Sequence, residues 1–277
     1  MTQNEPFIIY KDKNFLAVHK PAGLLAHPVK ISSFKLQASN SLTDWLVENY
    51  PEVRNVGDLP AGRQAMPAGR QVNQIRPGIV HRLDKDVSGI MLVARNQKYF
   101  EYLKNLFQTR QIKKIYLALV YGKIKSKRGV IDKPISIKSG TIKRTVYHGK
   151  DEKQAVTEYR VLKSFKLPAD AEALAGRQVS GSKEDDFSLV EISPRTGRTH
   201  QIRIHLASIG HPIVGDSLYG HKENPFGLKR IFLHAKSLEF SPEEGKRIKL
   251  EAAMPDELKN LLNFYFTAIL DLFSKKH

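Results

Sequence analysis

The sequence contains no cysteine. That one absence excludes disulfides, thiolate metal sites and cysteine nucleophiles. Also missing are an apolar run of the about 18 residues that a membrane-spanning helix requires, a charged-then-apolar leader, and a lipidation motif. The longest apolar stretch, LLNFYFTAILDLF near the C-terminus, is interrupted by Asn263 and Asp271 and reads as an amphipathic helix closing over a core. With no export signal, the cytoplasm is the expected location. Acidic residues are scarce: 28 Asp and Glu stand against 45 Lys and Arg, a net charge of +17 over 277 residues. An excess of that size is the footprint of a protein that meets a polyanion, nucleic acid before anionic membrane.

What is present suits a folded protein, since 41% hydrophobic content is enough for one substantial core or two modest ones. The start, FIIYKDKNFLAVHKPAGLLAHP, predicts two short strands around a turn at Asp12 to Asn14, then a change of direction at Pro21-Ala22-Gly23. SLTDWLVENY predicts a helix, with Ser41 as N-cap and Pro51 as stop. SGIMLVARN predicts a buried strand, and KYFEYLKNLFQTR a helix with Tyr99, Tyr102, Leu103, Leu106 and Phe107 on one face. The segments KKIYLALVYGKI, GVIDKPI, IKRTVYHG, QAVTEYRVLKSF and FSLVEISP read as short strands separated by turn residues. The fold class is therefore α+β, a largely antiparallel, mixed central sheet flanked by helices. The tetrapeptide AGRQ occurs at 61–64, 68–71 and 175–178, which is no solenoid period. Residues 59–75 and 167–186 read as inserted surface loops, with an extra RNA-gripping arm as the functional alternative.

Two segments concentrate chemistry. GIVHRLDKDVSG sets Asp84 among His81, Arg82 and Lys85, either as half of an ordinary ion pair or as a working carboxylate held ionised. In SPRTGRTHQIRIHLASIGHPIVGDSLYG, Gly197 supports a tight turn and Thr199 can cap a helix carrying Ile202, Leu206 and Ile209, ended by Gly210 and Pro212. That spacing sets His200 and Arg203 together at the border of the apolar stripe. Zinc-binding helices pair histidines four apart around a glutamate; His200 and His205 are five apart without one. Ser88 lacks the G-x-S-x-G elbow, and no glycine-rich phosphate cradle of either common pattern occurs. No metal and no cofactor are expected.

HRLDKDVSG, KKIYLALVYG, TGRTHQIRIHLASIGHPIVGD and FLHAKSLEF, preceded by VHKPAGLLAHP, together resemble the RluA-type RNA pseudouridine synthases in identity, order and approximate separation. The resemblance implies the pseudouridine synthase fold over 1–277 as a single catalytic domain, without a separate N-terminal RNA-binding domain. It implies that Asp84 is the essential aspartate, which bonds transiently to substrate as uridine becomes pseudouridine. Arg82 would help occupy the space vacated by a flipped nucleotide, Tyr116 would stack on the target base and assist proton removal from C5, and Arg203 would pair with the aspartate. His81, His200, Lys113 and Lys114 are expected on the substrate side, and Lys123, Lys125, Lys127 and Arg128 as further phosphate contacts. Val87 departs from the family's usual threonine, which removes a hydroxyl from the catalytic loop.

The chemistry suits these residue types. Breaking the N1 to C1' bond and rejoining ribose at C5 involves no redox change and needs an ionised carboxylate, whose pKa a neighbouring cation keeps low when water is excluded. Extruding a uridine from structured RNA costs a few kcal/mol, and stacking on an aromatic ring returns about 1–3 kcal/mol per base. The expected partner is structured RNA, ribosomal or transfer, with no membrane and no obligatory protein partner. The alternative is a non-catalytic RNA-binding or ribosome-assembly protein on the same fold.

Overall fold

The computed structural model describes residues 5–28, 41–58, 76–166, 186–221, 226–243 and 245–264, apart from 139, 142 and 148. They fall into two compact units: Met1–Ile112 with Ser237–Ala252, and Lys113–Lys236 with Ala253–His277. The sequence reads as one domain; the packing groups its residues into these two bodies.

In the first unit β1 (Phe7–Lys11), β2 (Phe15–Lys20) and β3 (Ser88–Ala94) pair antiparallel in that order. Asp12 makes the β1–β2 turn by accepting the amides of Asn14 and Phe15 at 2.7 and 2.8 Å. Every residue of β2 and β3 is buried, as an unbroken apolar run predicts, and the rule extends to His19 and Lys20. Helix α1 (Leu42–Asn49) starts at Ser41 with a reciprocal capping box to Asp44, and Pro51 begins a short 3-10 turn after it. Helix α2 (Gln97–Gln108) is capped by Asn96, whose side chain accepts the Tyr99 amide. Its face buries Tyr99, Phe100, Leu103 and Leu106 in a core with Phe15, Ile90 and Leu92, while Tyr102 and Phe107 lie at the margin. Phe15 stacks on Tyr99 and meets Phe240 edge-on, both at 5.5 Å.

In the second unit β4 (Lys113–Tyr121), β10 (Asp186–Pro194), β9 (Val156–Lys166) and β5 (Arg128–Asp132) form an antiparallel sheet in that order. A separate three-stranded sheet has β6 (Ile135–Ile137) between β7 (Arg144–Thr145) and β8 (Lys150–Lys153). Helix α3 (Gln201–Ser208) contributes Ile204 to a small core with Ile135 and Ala155. Strand β11 (Leu233–Glu243) begins in the second unit and ends in the first, where its Ser237 pairs with Glu251 of β12 (Lys246–Glu251).

The class is α+β, and the strand pairs just named within each unit all run antiparallel. Asp186, within the span 167–186 read as an inserted loop, is instead the first residue of β10. Residues 59–75 and 167–185 lie outside the described residues. A helix runs over 256–264 with Leu258 and Leu262 buried; of the stretch 261–273 read as an amphipathic helix, residues 265–273 likewise lie outside the described residues. Among the described residues no helix is long and apolar enough to cross a membrane.

Candidate active site

The Asp84 loop is tied down at both ends before its carboxylate is considered. Gly78 sits at φ 64, and a Cβ on it would lie 2.4 Å from the carbonyl oxygen of Ala94, so only glycine fits. Its amide donates to the Val56 carbonyl and its carbonyl accepts from Ala94, each at 2.8 Å. His81 accepts the Leu92 amide on Nε2 at 2.8 Å, which leaves the proton of its neutral ring on Nδ1. The ring stacks on Phe107 of α2 with centroids 4.4 Å apart. His81 therefore braces the loop against β3 and α2 through one nitrogen and one ring face. Arg82 is exposed, Asp84 is half-buried, and the Val87 amide donates to the Asp84 carbonyl at 3.2 Å to close the turn. Val87 is 2% exposed. A hydroxyl at that depth would need a hydrogen-bond partner, which valine does not.

Lys20 is the residue that sequence reasoning missed here. Its ammonium is fully buried and donates to the carbonyls of Pro21, Leu24 and Lys85 at 2.8, 2.8 and 3.0 Å, one acceptor for each of its three hydrogens. The Gly23 amide donates to the same Lys85 carbonyl at 2.9 Å. KPAG thus grips the backbone one residue past Asp84. His27, in the same opening segment, has its pKa lowered by burial first and then by the charges of Arg76 and Arg82, which places Arg82 in its neighbourhood.

In the second unit β4 presents Lys113, exposed, and Lys114, half-buried, whose ammonium is 3.4 Å from the Thr196 carbonyl. Tyr116, half-buried, lies opposite Ile192 of β10. Lys123, Lys125, Lys127 and Arg128 are all exposed. Thr199 does not cap α3, contrary to the sequence expectation. The N-cap is His200, in the left-handed region at φ 56 with no side-chain cap bond, and this residue, not Gly197, makes the tight bend. The side chain of Gln201 does the organising instead. Its Oε1 accepts from Thr196 Oγ1 and the Arg198 amide at 2.7 and 3.0 Å, and its Nε2 donates to the Val156 carbonyl and Thr157 Oγ1 at 3.0 and 2.9 Å. The helix start is stitched to β9 from within.

Arg203 lies one turn further along. Its Nε and Nη2 donate to Oδ2 and Oδ1 of Asp216 at 2.8 and 2.7 Å, and its guanidinium lies 5.2 Å from the centre of the Tyr219 ring. Burial acts most strongly on the Asp216 carboxyl and by itself would raise its pKa. The bonds from Arg203 and from the amides of Tyr219 and Leu218 together outweigh burial and hold it below the ordinary 3.8. His200 joins the group through Nδ1, 3.0 Å from the Tyr219 hydroxyl. Nothing local in the sequence marks Asp216 or Tyr219 as partners of Arg203; the only signal is their place in the GDSLYG motif.

The three histidines of this segment diverge. His200 meets Tyr219, His211 places Nδ1 2.8 Å from the Tyr121 carbonyl, and His205 spans Thr157 Oγ1 and the Lys133 carbonyl at 2.9 and 3.0 Å. Among the described residues no three His, Asp or Glu side chains are grouped to hold a metal. His205 is fully buried, and burial foremost lowers its pKa below the ordinary 6.5. The unfolded chain therefore binds a proton there that the folded one resists. Stability is full above that value and is lost as pH falls below it. Melting temperature is expected to fall between about pH 7 and pH 5, with a smaller fall in His205→Asn. A flat profile in the parent protein would contradict this.

A family model described as RNA pseudouridylate synthase matches residues 14–208. The chain is 31% identical over 265 residues to an uncharacterized RNA pseudouridine synthase of Aquifex aeolicus, covering 93% of this chain and 72% of the other. It is 34% identical over 256 residues to an uncharacterized RNA pseudouridine synthase of Bacillus subtilis, covering 92% and 71%. It is 30% identical over 266 residues to ribosomal large subunit pseudouridine synthase D of Borreliella burgdorferi, covering 96% and 70%. Among solved structures, human RNA pseudouridylate synthase domain containing 1 superposes with a TM-score of 0.65 at 24% identity, over 92% of this chain and 86% of that one. That likeness is one of fold.

Proposed function

The chain belongs to the RNA pseudouridylate synthase family, and from that premise we propose that it converts specific uridines of large-subunit ribosomal RNA to pseudouridine. The observation that carries the proposal is that the family match over 14–208 runs through Asp84, Tyr116 and Arg203 together. Ribosomal RNA is preferred to transfer RNA because of what relatives such as the Borreliella burgdorferi protein are called. In this reading the protein works in the cytoplasm. The rival, a non-catalytic RNA-binding protein on this fold, has no observation in its favour.

In this reading the target uridine leaves the RNA stack and enters the site, where the Asp84 carboxylate reacts with it. The N1 to C1' bond breaks, the freed uracil turns, and C5 bonds to C1'. The proton on C5 is then removed and N1 gains one, so the overall change is an isomerisation with no external reactant. Tyr116 offers the ring on which the base stacks, Arg82 fills the space left in the RNA, and Arg203 is the basic group that serves the reacting carboxylate. Lys113, with Lys123, Lys125, Lys127 and Arg128, meets phosphates through exposed ammonium and guanidinium groups. Lys114 reaches a phosphate from beside the Thr196 carbonyl. His81 and His200 serve the substrate indirectly, the first by bracing the Asp84 loop and the second through Tyr219.

The test is tritium release from ribosomal and transfer RNA that lacks the modification and carries tritium at uridine C5. Release from ribosomal RNA, undiminished by a chelator, is the expected outcome. Binding of ribosomal RNA without release would reject the enzyme reading, and release from transfer RNA alone would reject the substrate class.

A further inference from the structure

The turn at residues 215–220 closes on Arg203 from two directions. Its ends are fixed by close backbone approach: a Cβ on Gly215, at φ 75, would lie 2.2 Å from the Arg230 carbonyl oxygen, and one on Gly220 would lie 2.5 Å from that of Asp216. Between these glycines Asp216, 1% exposed, binds the Nε–Nη2 edge of Arg203 with one oxygen for each nitrogen. Its Oδ1 also accepts the amides of Leu218 and Tyr219 at 2.9 and 3.1 Å, so the carboxylate is itself held against rotation. Tyr219 applies its ring to the guanidinium, while its hydroxyl meets His200 Nδ1 at 3.0 Å and accepts the Arg144 amide of β7 at 3.1 Å.

One edge and the ring-facing side of the guanidinium are thus set by groups that cannot swing. An ion pair at this depth is weak evidence of a purely stabilising role, because well-packed apolar residues of similar volume often match it. What a two-bonded pair does add is a fixed plane and direction for the cation.

We infer that Asp216 is a positioning residue for the isomerisation: it touches no substrate and acts through Arg203, with Tyr219 as the wall behind the guanidinium. The inference rests on the reading that Arg203 serves the reacting carboxylate. A cation displaced by about 1 Å from its working position costs on the order of 10²-fold in rate.

The experiment is a double-mutant cycle of Asp216→Asn and Arg203→Lys, followed by tritium release, RNA binding and thermal melting. Asp216→Asn is expected to lower kcat about 10²-fold, with KM and RNA affinity held within about twofold. The double variant is expected to be no slower than the slower single one, because the two residues act as one unit. Multiplying losses in the double variant, or a loss in Asp216→Asn no larger than its unfolded fraction, would show a merely structural carboxylate and overturn the inference. Full kcat in Arg203→Lys would instead overturn the assignment of Arg203 on which it rests. If Asp216→Asn does not fold, Asp216→Glu keeps the charge but shifts it by one methylene; unchanged kcat there also overturns the inference.

Discussion

Asp84→Asn is expected to abolish tritium release, with kcat down by at least about 10⁴-fold, the scale seen when a nucleophile is removed. The substitution keeps the shape of the side chain and leaves the loop's backbone anchors in place. The Val87 amide still reaches the Asp84 carbonyl, the Lys85 carbonyl still receives Lys20 and Gly23, and His81 still holds the Leu92 amide. What disappears is the negative charge and, in the proposed mechanism, the oxygen that reacts. RNA affinity is expected to stay within about threefold, because it comes from basic groups that the change leaves untouched. Single-turnover tritium release and filter binding on one RNA preparation separate the two quantities. Turnover by the variant above about 1% of the parent rate would remove Asp84 from the mechanism.

Lys20→Met carries the second large effect, and it concerns a residue that no motif argument had singled out for chemistry. Methionine matches the length of lysine but donates nothing, so the carbonyls of Pro21 and Leu24 lose the lysine donor and that of Lys85 keeps only the Gly23 amide of the two described for it. Each unsatisfied buried acceptor costs about 1–3 kcal/mol. Removing the buried ammonium returns part of that as relieved desolvation. A net cost of about 3 kcal/mol lowers the melting temperature by about 6–12 °C in a chain of this size. The effect on rate is expected to be the larger one. Lys20 and Gly23 share the carbonyl next to Asp84, and a displaced carboxylate costs on the order of 10²-fold in kcat even in molecules that remain folded. Differential scanning calorimetry and tritium release at a temperature well below the transition measure the two effects separately. An unchanged melting temperature with full activity would mean that the cage on Lys85 is dispensable.

The most legible parts of the fold were those set by local physics. The Asp12 turn, the Ser41 N-cap with Pro51 behind its helix, and the unbroken apolar run of β3 depend on residues within a few positions of one another, and the structure has each of them. The start of α3 differs from the expectation. Thr199 was a reasonable cap by type, yet the helix begins after His200 because Gln201 draws Thr196, Arg198, Val156 and Thr157 around its amide. The Arg198 amide and Thr196 are near in sequence, but the β9 groups that complete the knot are more than 40 residues away and leave no local periodicity.

The same divide separates what the sequence by itself determined about function from what tertiary structure decided. The basic excess and the series of long motifs pointed to an RNA isomerase, and they singled out Asp84, Tyr116 and Arg203 by kind. The motifs did so through their resemblance to the RluA-type family; on residue type and spacing alone Asp84 could equally be half of an ordinary ion pair. Only the folded chain showed that Lys20 holds the loop beside Asp84 across 65 residues, that His81 spends Nε2 on the Leu92 amide, and that His205 is buried between Thr157 and Lys133. It alone showed Asp216 gripping the guanidinium of Arg203. Those are contacts between groups whose distance along the chain says nothing about their distance in space. A buried ammonium, imidazole or carboxylate must be satisfied by whichever donors and acceptors the packed strands and helices bring to it.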